Sequence, residues 1–346
     1  MMKSFSLSWT LLQSNFSRPK KPYKLNLYIT DKCNCRCKTC NIWQKPAANE
    51  LSVAELTTFF QKNNYFSWID ITGGEIFLRN DLDEILEMIV RECPNLYLLH
   101  FPTNGMLTDK IDQTVKHIKR IFKGRLVVSI SIDGDEPLHD SLRGVNGCWQ
   151  KAVETYQRIS AINTKNTYIG YTLSNHNCDQ LQTTYRALKH KIPDLAFDAL
   201  HINVAQYSDL YYANKSDDLI SNQKPIIETL TYVLSKRHPT LSPFYMLETQ
   251  YLKLLKHYLQ KGFYPHKRCE SLNSTITVSP TGDVYPCLYY DHKLGSLRAV
   301  DFQLDKILNG PESQKLKKDI LKYCPHCWTA CEAYPTLLSN LFSRCG

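Results

Sequence analysis

Cysteine is the residue whose type and spacing most readily do chemistry in this 346-residue chain, which has 13 of them. Cys33, Cys35, Cys37 and Cys40 crowd one short loop. Cys269, Cys287, Cys324, Cys327, Cys331 and Cys345 cluster near the end, and Cys93, Cys148 and Cys178 fall between. An odd total excludes complete internal pairing. The N-terminus lacks the apolar run and small-residue cleavage site of a secretory signal, so the expected compartment is the reducing cytoplasm. Clustered cysteines there signal metal or catalysis more often than disulfides. Cys33, Cys37 and Cys40 form Cys-x3-Cys-x2-Cys. Three thiolates in one loop can hold one face of an iron–sulfur cubane, which normally takes four, and leave one iron open to a ligand. A zinc knot is the competing reading, although one-residue gaps around Cys35 suit a tetrahedral site poorly. Cys37 and Cys40 alone would also make a redox Cys-x-x-Cys.

Further polar features follow apolar runs. Gly73-Gly74-Glu75 comes after FSWIDIT, Thr103-Asn104-Gly105 after LYLLHF, and Asp133-Gly134 after LVVSISI, which contains Ser131. These runs, with LNLYIT (25–30), TYIGYTL (167–173) and LAFDALHIN (195–203), read as six strands. Helical patterns separate them. Ser52 and Glu55 form a capping box before Leu56, Phe59 and Phe60, and Leu82, Ile85, Leu86, Ile89 and Val90 follow helical spacing after Asn80 and Asp81. Alternating strands and helices predict a parallel sheet, either a partial (β/α) barrel or a doubly wound sheet. In both, sites form beyond the C-terminal ends of strands, where these polar features fall.

Residues 1–22 read as an arm docked on the chain, 23–215 as the α/β core, 216–262 as a helical linker, and 263–346 as a small cysteine-rich C-terminal domain. Within the last, TITVSPTGDVYPCLYY reads as a hairpin, and 311–346 is expected to hold little regular structure. A composition of 43% hydrophobic and 22% charged residues excludes a disordered or collagen-like chain. No apolar run is long enough for an integral membrane segment. The net charge of +9 reads as a solvated basic face, with no strong sign of nucleic acid.

Taken together, the cysteine triplet, Gly73-Gly74-Glu75 and SIDGDEPLHDSLRG resemble the radical S-adenosylmethionine enzymes over roughly residues 22–210. The resemblance implies a (β/α)6 partial TIM barrel and a 4Fe–4S cluster held by Cys33, Cys37 and Cys40. The open iron would chelate S-adenosylmethionine, with Gly73, Gly74 and Glu75 at its amino group, Ser131 nearby and Arg143 at its carboxylate. Two residues depart from the family pattern: Thr39 stands where an aromatic residue is usual, and Ile76 where proline often follows the glycines. Cys35 is extra and reads as a non-ligand.

Residues 265–346 resemble the SPASM and twitch extensions that carry auxiliary clusters. Cys269, Cys287, Cys324, Cys327, Cys331 and Cys345 are the candidate ligands of at least one further iron–sulfur cluster of 4Fe–4S type. The Cys324–Cys331 run lacks at least one cysteine of the full seven-cysteine pattern. The implied function is oxidoreductase chemistry. Reductive cleavage of S-adenosylmethionine would yield a 5′-deoxyadenosyl radical that abstracts hydrogen from a peptide or small-molecule substrate, with an electron donor such as flavodoxin or ferredoxin. The alternative is a non-enzymatic zinc or iron–sulfur binding module.

Overall fold

The computed structural model describes residues 2–46, 49–238, 241–262 and 269–341. After an N-terminal helix α1 (Met2–Ser14), strands and helices alternate through residue 204: β1 (Lys24–Tyr28), α2 (Val53–Lys62), β2 (Trp68–Thr72), α3 (Leu82–Glu92), β3 (Leu98–Thr103), α4 (Thr108–Ile121), β4 (Arg125–Ser131), α5 (Glu136–Arg143), α6 (Cys148–Ile162), β5 (Thr167–Leu173), α7 (Leu181–Lys191) and β6 (Leu200–Val204). Each strand pairs in parallel with its neighbour in sequence. The ladder β6-β5-β4-β3-β2-β1 leaves β6 at a free edge, so the curved sheet is an open, partial barrel. This is the expected (β/α)6 architecture.

Strand burial shows where the hollow lies. On β3, β5 and β6 the residues facing the helices are buried, whereas alternate residues such as His100, Thr172 and His201 are only half-buried. With side chains alternating faces, the half-buried set lines an interior that is not filled. The helices cover the outside through apolar stripes: Leu56, Phe59 and Phe60 on α2; Leu82, Ile85, Leu86 and Ile89 on α3; Ile111, Val115 and Ile118 on α4. The Ser52–Glu55 capping box is formed as expected. The sixth strand starts at Leu200 rather than 195, because Phe197–Ala199 coil into a 3-10 turn.

Helices α8 (Gln223–Ser235) and α9 (Pro243–Lys261) follow the barrel and pack on each other. The expected hairpin is present as β7 (Thr275–Val278) and β8 (Asp283–Tyr285), joined by the short β9 (Gly295–Ser296). It is no separate sheet: β7 runs parallel to β1, Lys24 opposite Thr275 and Leu27 opposite Val278, so nine strands form one sheet.

Helix α10 (Leu304–Leu308) leads to the tail, 311–346, which is more regular than expected: three helices, α11 (Pro311–Lys318), α12 (Ile320–Tyr323) and α13 (Ala330–Leu338), occupy its described residues. They are too short to show periodicity in sequence and are held by tertiary burial of Leu316, Ile320, Trp328 and Ala333. Trp328 donates its indole N–H to the Tyr251 carbonyl at 3.1 Å, fixing this region to α9. The N-terminal arm docks as expected. Leu7 packs with Tyr23 and Trp68, and Asn15 donates to the Leu338 carbonyl at 2.8 Å. Among the described residues no helix is long and apolar enough to cross a membrane.

Candidate functional site: two cysteine centres on one barrel

The loop after β1 carries the first cysteines, and its neighbours fix its path. The Arg36 and Lys38 N–H groups donate to the Arg143 and Leu142 carbonyls at 2.7 and 2.9 Å. Those carbonyls end α5 and lack helical partners, so the two elements satisfy each other. Gly144 closes α5 in the left-handed region (φ 66°), and a Cβ there would meet the Arg36 carbonyl oxygen at 2.7 Å. From the far side, Asn104 donates to the Asn34 side-chain oxygen at 2.7 Å. Gly74 donates to the Thr30 carbonyl and Glu75 to that of Lys32, both at 2.8 Å. A Cβ on Gly74 would sit 2.3 Å from the Lys32 carbonyl oxygen. The paired glycines are therefore required by the cysteine loop itself.

A cavity of about 570 Å³ fills the barrel, lined at one end by Cys33, Cys37 and Cys40 together with Gly73, Gly74, Ser131 and Arg143. The Cys35 hydrogen bond and the Arg143 guanidinium hold the Cys37 thiol down near about 6 against the opposing effect of burial. The thiolate is the form that binds metal. Cys35 is fully buried, with its sulfur 3.7 Å from that of Met106.

Arg143 bonds Asp133 through one terminal nitrogen, and its other terminal nitrogen lies 3.7 Å from the Cys37 sulfur. Asp133 is braced by the Thr172 N–H at 2.8 Å. The Arg143 Nε–H is buried without a partner among the described residues, and the Ser131 hydroxyl makes no hydrogen bond to a described residue. A buried, unpaired guanidinium N–H is costly unless an anion meets it. These donors suit the carboxylate of a ligand in this end of the cavity.

Glu75 stands differently from its glycines. It is buried away from the cavity lining and accepts from the Thr103 hydroxyl (3.0 Å) and the Asn104 N–H (2.7 Å). Burial outweighs these bonds and raises its carboxyl to about 7. It fastens the β2 loop to the β3 loop.

The second cysteine set divides. Cys269, Cys287, Cys324 and Cys327 line one small cavity beside Glu332. Cys331 lines the barrel cavity instead. Its backbone carbonyl accepts from the buried Lys24 ammonium at 2.6 Å, which turns this residue toward the barrel. Cys345 lies outside the described residues. An apolar cluster of Tyr28, Ile42, Tyr211, Leu288 and Tyr289 packs against Cys33 and Cys40 and also against Cys327 and Cys331, separating the two centres. Among the described residues no three His, Cys, Asp or Glu groups are drawn together as a single metal ion requires. The described cysteines are all free thiols.

The profile of the radical SAM superfamily matches residues 27–188, and that of the SPASM iron–sulfur cluster-binding domain matches 269–331. The chain carries a radical S-adenosylmethionine domain followed by a SPASM domain. The radical SAM match spans β1 to α7, and the SPASM match spans both cavity-lining sets of later cysteines. Radical SAM proteins of this SPASM class bind a 4Fe–4S cluster, S-adenosylmethionine and auxiliary iron–sulfur clusters.

Among relatives, the chain is 22% identical to the antilisterial bacteriocin subtilosin biosynthesis protein AlbA of Bacillus subtilis, over 92% of this chain and 66% of AlbA. It is 28% identical to the sporulation killing factor maturation protein SkfB of the same organism, over 46% of this chain and 38% of SkfB. The chain thus spans less than two thirds of either relative. Its fold resembles anSMEcpe, solved with bound AdoMet and a Cp18Cys peptide, with a TM-score of 0.60 at 16% identity, over 93% of this chain and 96% of that one.

Sequence reading missed the interior row Lys24, Asp70, His100 and Ser129. Lys24 pairs with Asp70 at 2.8 Å, and His100 bridges Asp70 (3.3 Å) and Ser129 (3.1 Å). Tyr211, which donates to the Gly73 carbonyl at 3.0 Å, was also missed. The available signal was a polar residue at an inward position of an apolar strand.

Proposed function

We propose that the chain is a radical S-adenosylmethionine oxidoreductase that modifies a peptide. A 4Fe–4S cluster on Cys33, Cys37 and Cys40, with S-adenosylmethionine bound to it, would supply a 5′-deoxyadenosyl radical that removes a hydrogen atom from the substrate. The observation that carries this reading is the shared cavity. The three cysteines line it with Gly73, Gly74, Ser131 and the unpaired Nε–H of Arg143.

In this reading Arg143, steadied by Asp133, receives the methionine carboxylate. Ser131 offers a hydroxyl beside it. Gly73 and Gly74 keep the backbone close enough to meet the amino group, and Glu75 acts by fixing their loop. The barrel wall would enclose the reacting centre and limit water there. Cys269, Cys287, Cys324 and Cys327 hold the auxiliary cluster. A peptide substrate is supported by the peptide-maturing names of AlbA and SkfB and by the peptide in anSMEcpe. The reading calls for a small electron carrier such as flavodoxin or ferredoxin, and a reducing cytoplasm suits the free thiols.

The test is 5′-deoxyadenosine formation by anaerobically reconstituted protein given S-adenosylmethionine and a strong reductant. Wild type is expected to form it and Cys37→Ala to form none. A cluster-loaded wild type that binds S-adenosylmethionine but releases no 5′-deoxyadenosine, with or without candidate peptides, would sink the reading.

A further inference from the structure

The cavity has a second end that the cysteines do not reach. The strands are parallel, so the cysteine loop marks their C-terminal ends and the first residues of the strands mark the opposite one. Arg125 and Ser131 open and close β4, about 20 Å apart at the usual rise of a strand. Around Arg125 the wall includes β4, β5, β6 and the start of α9, with Trp68, Leu98 and α1 completing this end.

Five charged side chains line the whole cavity: Lys24, Asp70, Arg125, Asp133 and Arg143. Four of them cancel in pairs, Lys24 with Asp70 and Arg143 with Asp133. Arg125 has no carboxylate within ion-pair distance among the described residues. It donates only to neutral oxygens, from Nε to the Asn166 side chain at 2.7 Å and from Nη2 to the Tyr168 hydroxyl at 3.2 Å. Its Nη1 makes no hydrogen bond to a described residue. The nearby Glu248 accepts from Tyr334 through one oxygen and has Arg237 3.7 Å from the other.

The rest of this end is prepared around that cation. The guanidinium carbon lies over the Phe244 ring, 4.5 Å from its centre, a cation–π contact that holds it at this end of the cavity. His201 stacks on Tyr168 with ring centres 3.8 Å apart and leans on Phe244 at 5.5 Å. It makes no hydrogen bond to a described residue, so its ring nitrogens are free to meet a ligand. Burial, with His100, Arg237 and Arg125 nearby, lowers its pKa to about 3. The ring is therefore neutral and keeps one N–H donor. A guanidinium held by Asn166, Tyr168 and Phe244 beside a neutral imidazole N–H is a donor set for a carboxylate.

We propose that Arg125 and His201 form a carboxylate-reading subsite at the end of the barrel away from the cysteines. It rests on the reading above, and it narrows the substrate to an extended molecule with a carboxylate far from the C–H that reacts. In a peptide this is an acidic side chain or the C-terminal carboxylate.

The test is equilibrium dialysis of cluster-loaded full-length protein, with S-adenosylmethionine present, against radiolabelled hexanoate and its neutral match hexanamide. Hexanoate is expected to bind at least tenfold more tightly. Arg125→Gln should weaken hexanoate at least tenfold while leaving hexanamide and S-adenosylmethionine binding unchanged, and Arg125→Lys should recover part of the loss. Equal binding of acid and amide by wild type overturns the subsite, and this comparison decides even if Arg125→Gln does not fold. Displacement of hexanoate by an equal concentration of inorganic phosphate overturns the carboxylate assignment. Peptides with a free or amidated C-terminus, and with Glu or Gln inside, then separate the two sources. S-Adenosylmethionine retained without an acid preference removes the subsite alone, whereas S-adenosylmethionine not retained removes the reading beneath it.

Discussion

Gly74 shows how little room the site allows at a single residue. Its missing Cβ is replaced by the Lys32 carbonyl, so Gly74→Ala must displace the loop that carries Cys33 and Cys37. After reconstitution the variant is expected to hold clearly less iron per chain than wild type at equal secondary structure. Wild-type iron content in a folded variant would refute the argument. His201 makes a second residue-scale case. Its folded pKa of about 3 lies below the ordinary 6.5 because burial disfavours the cation, with His100, Arg237 and Arg125 adding repulsion. The unfolded chain therefore binds the extra proton first. The stability this neutral ring contributes is complete above pH 6.5 and declines as pH falls from 6.5 toward 3. Urea unfolding at pH 7.5 and pH 5 should show wild type losing up to about 2 kcal/mol more than His201→Gln. Parallel losses in the two proteins would contradict it.

At the scale of elements, α2 joins local and tertiary signals. Ser52 accepts from the Glu55 N–H at 3.2 Å, and the Glu55 carboxylate returns to the Ser52 N–H at 2.9 Å. Glu55 also takes Arg298 at 2.6 Å, which ties α2 to the segment after β9. Ser52→Ala is expected to cost about 1 kcal/mol, read from the urea midpoint at unchanged slope, since a lost cap oxygen leaves an orphan N–H. The capping box was legible because its partners are three residues apart. The tail helices were not, because α12 and α13 are held by contacts with residues remote in sequence. The same distinction separates the cysteines. Cys269, Cys287, Cys324 and Cys327 share a cavity, while Cys331, only four residues past Cys327, faces another. Its orientation follows from Lys24, which is distant in sequence but adjacent in space.

The whole molecule is one sheet crossing two functional regions. Pairing of β7 with β1 covers a strand in which every residue is buried. Removing everything after Gly262 would uncover the backbone edge of β1 and the apolar side chains beside it, an aggregation-prone combination. The truncated chain is expected to be insoluble or to elute as aggregate in size-exclusion chromatography. A soluble monomer with a cooperative thermal transition would show that the barrel stands alone.

What the amino-acid order determined by itself was local and periodic. It comprised the β/α alternation, the cap of α2, and the cysteine triplet, Gly73-Gly74-Glu75 and SIDGDEPLHDSLRG, which together carry the resemblance to the radical S-adenosylmethionine enzymes. Such signals lie within one element or one loop, where a few covalent bonds fix the geometry. Only the tertiary structure decided that the hairpin joins the barrel, that Cys331 turns away from its neighbours, and that Glu75 braces a loop from behind. It alone left Arg125 as the cavity's one charged side chain with no opposite charge beside it among the described residues. Each of these depends on which distant strand or helix supplies the partner, and burial and charge pairing settle that only once the chain has closed around its hollow.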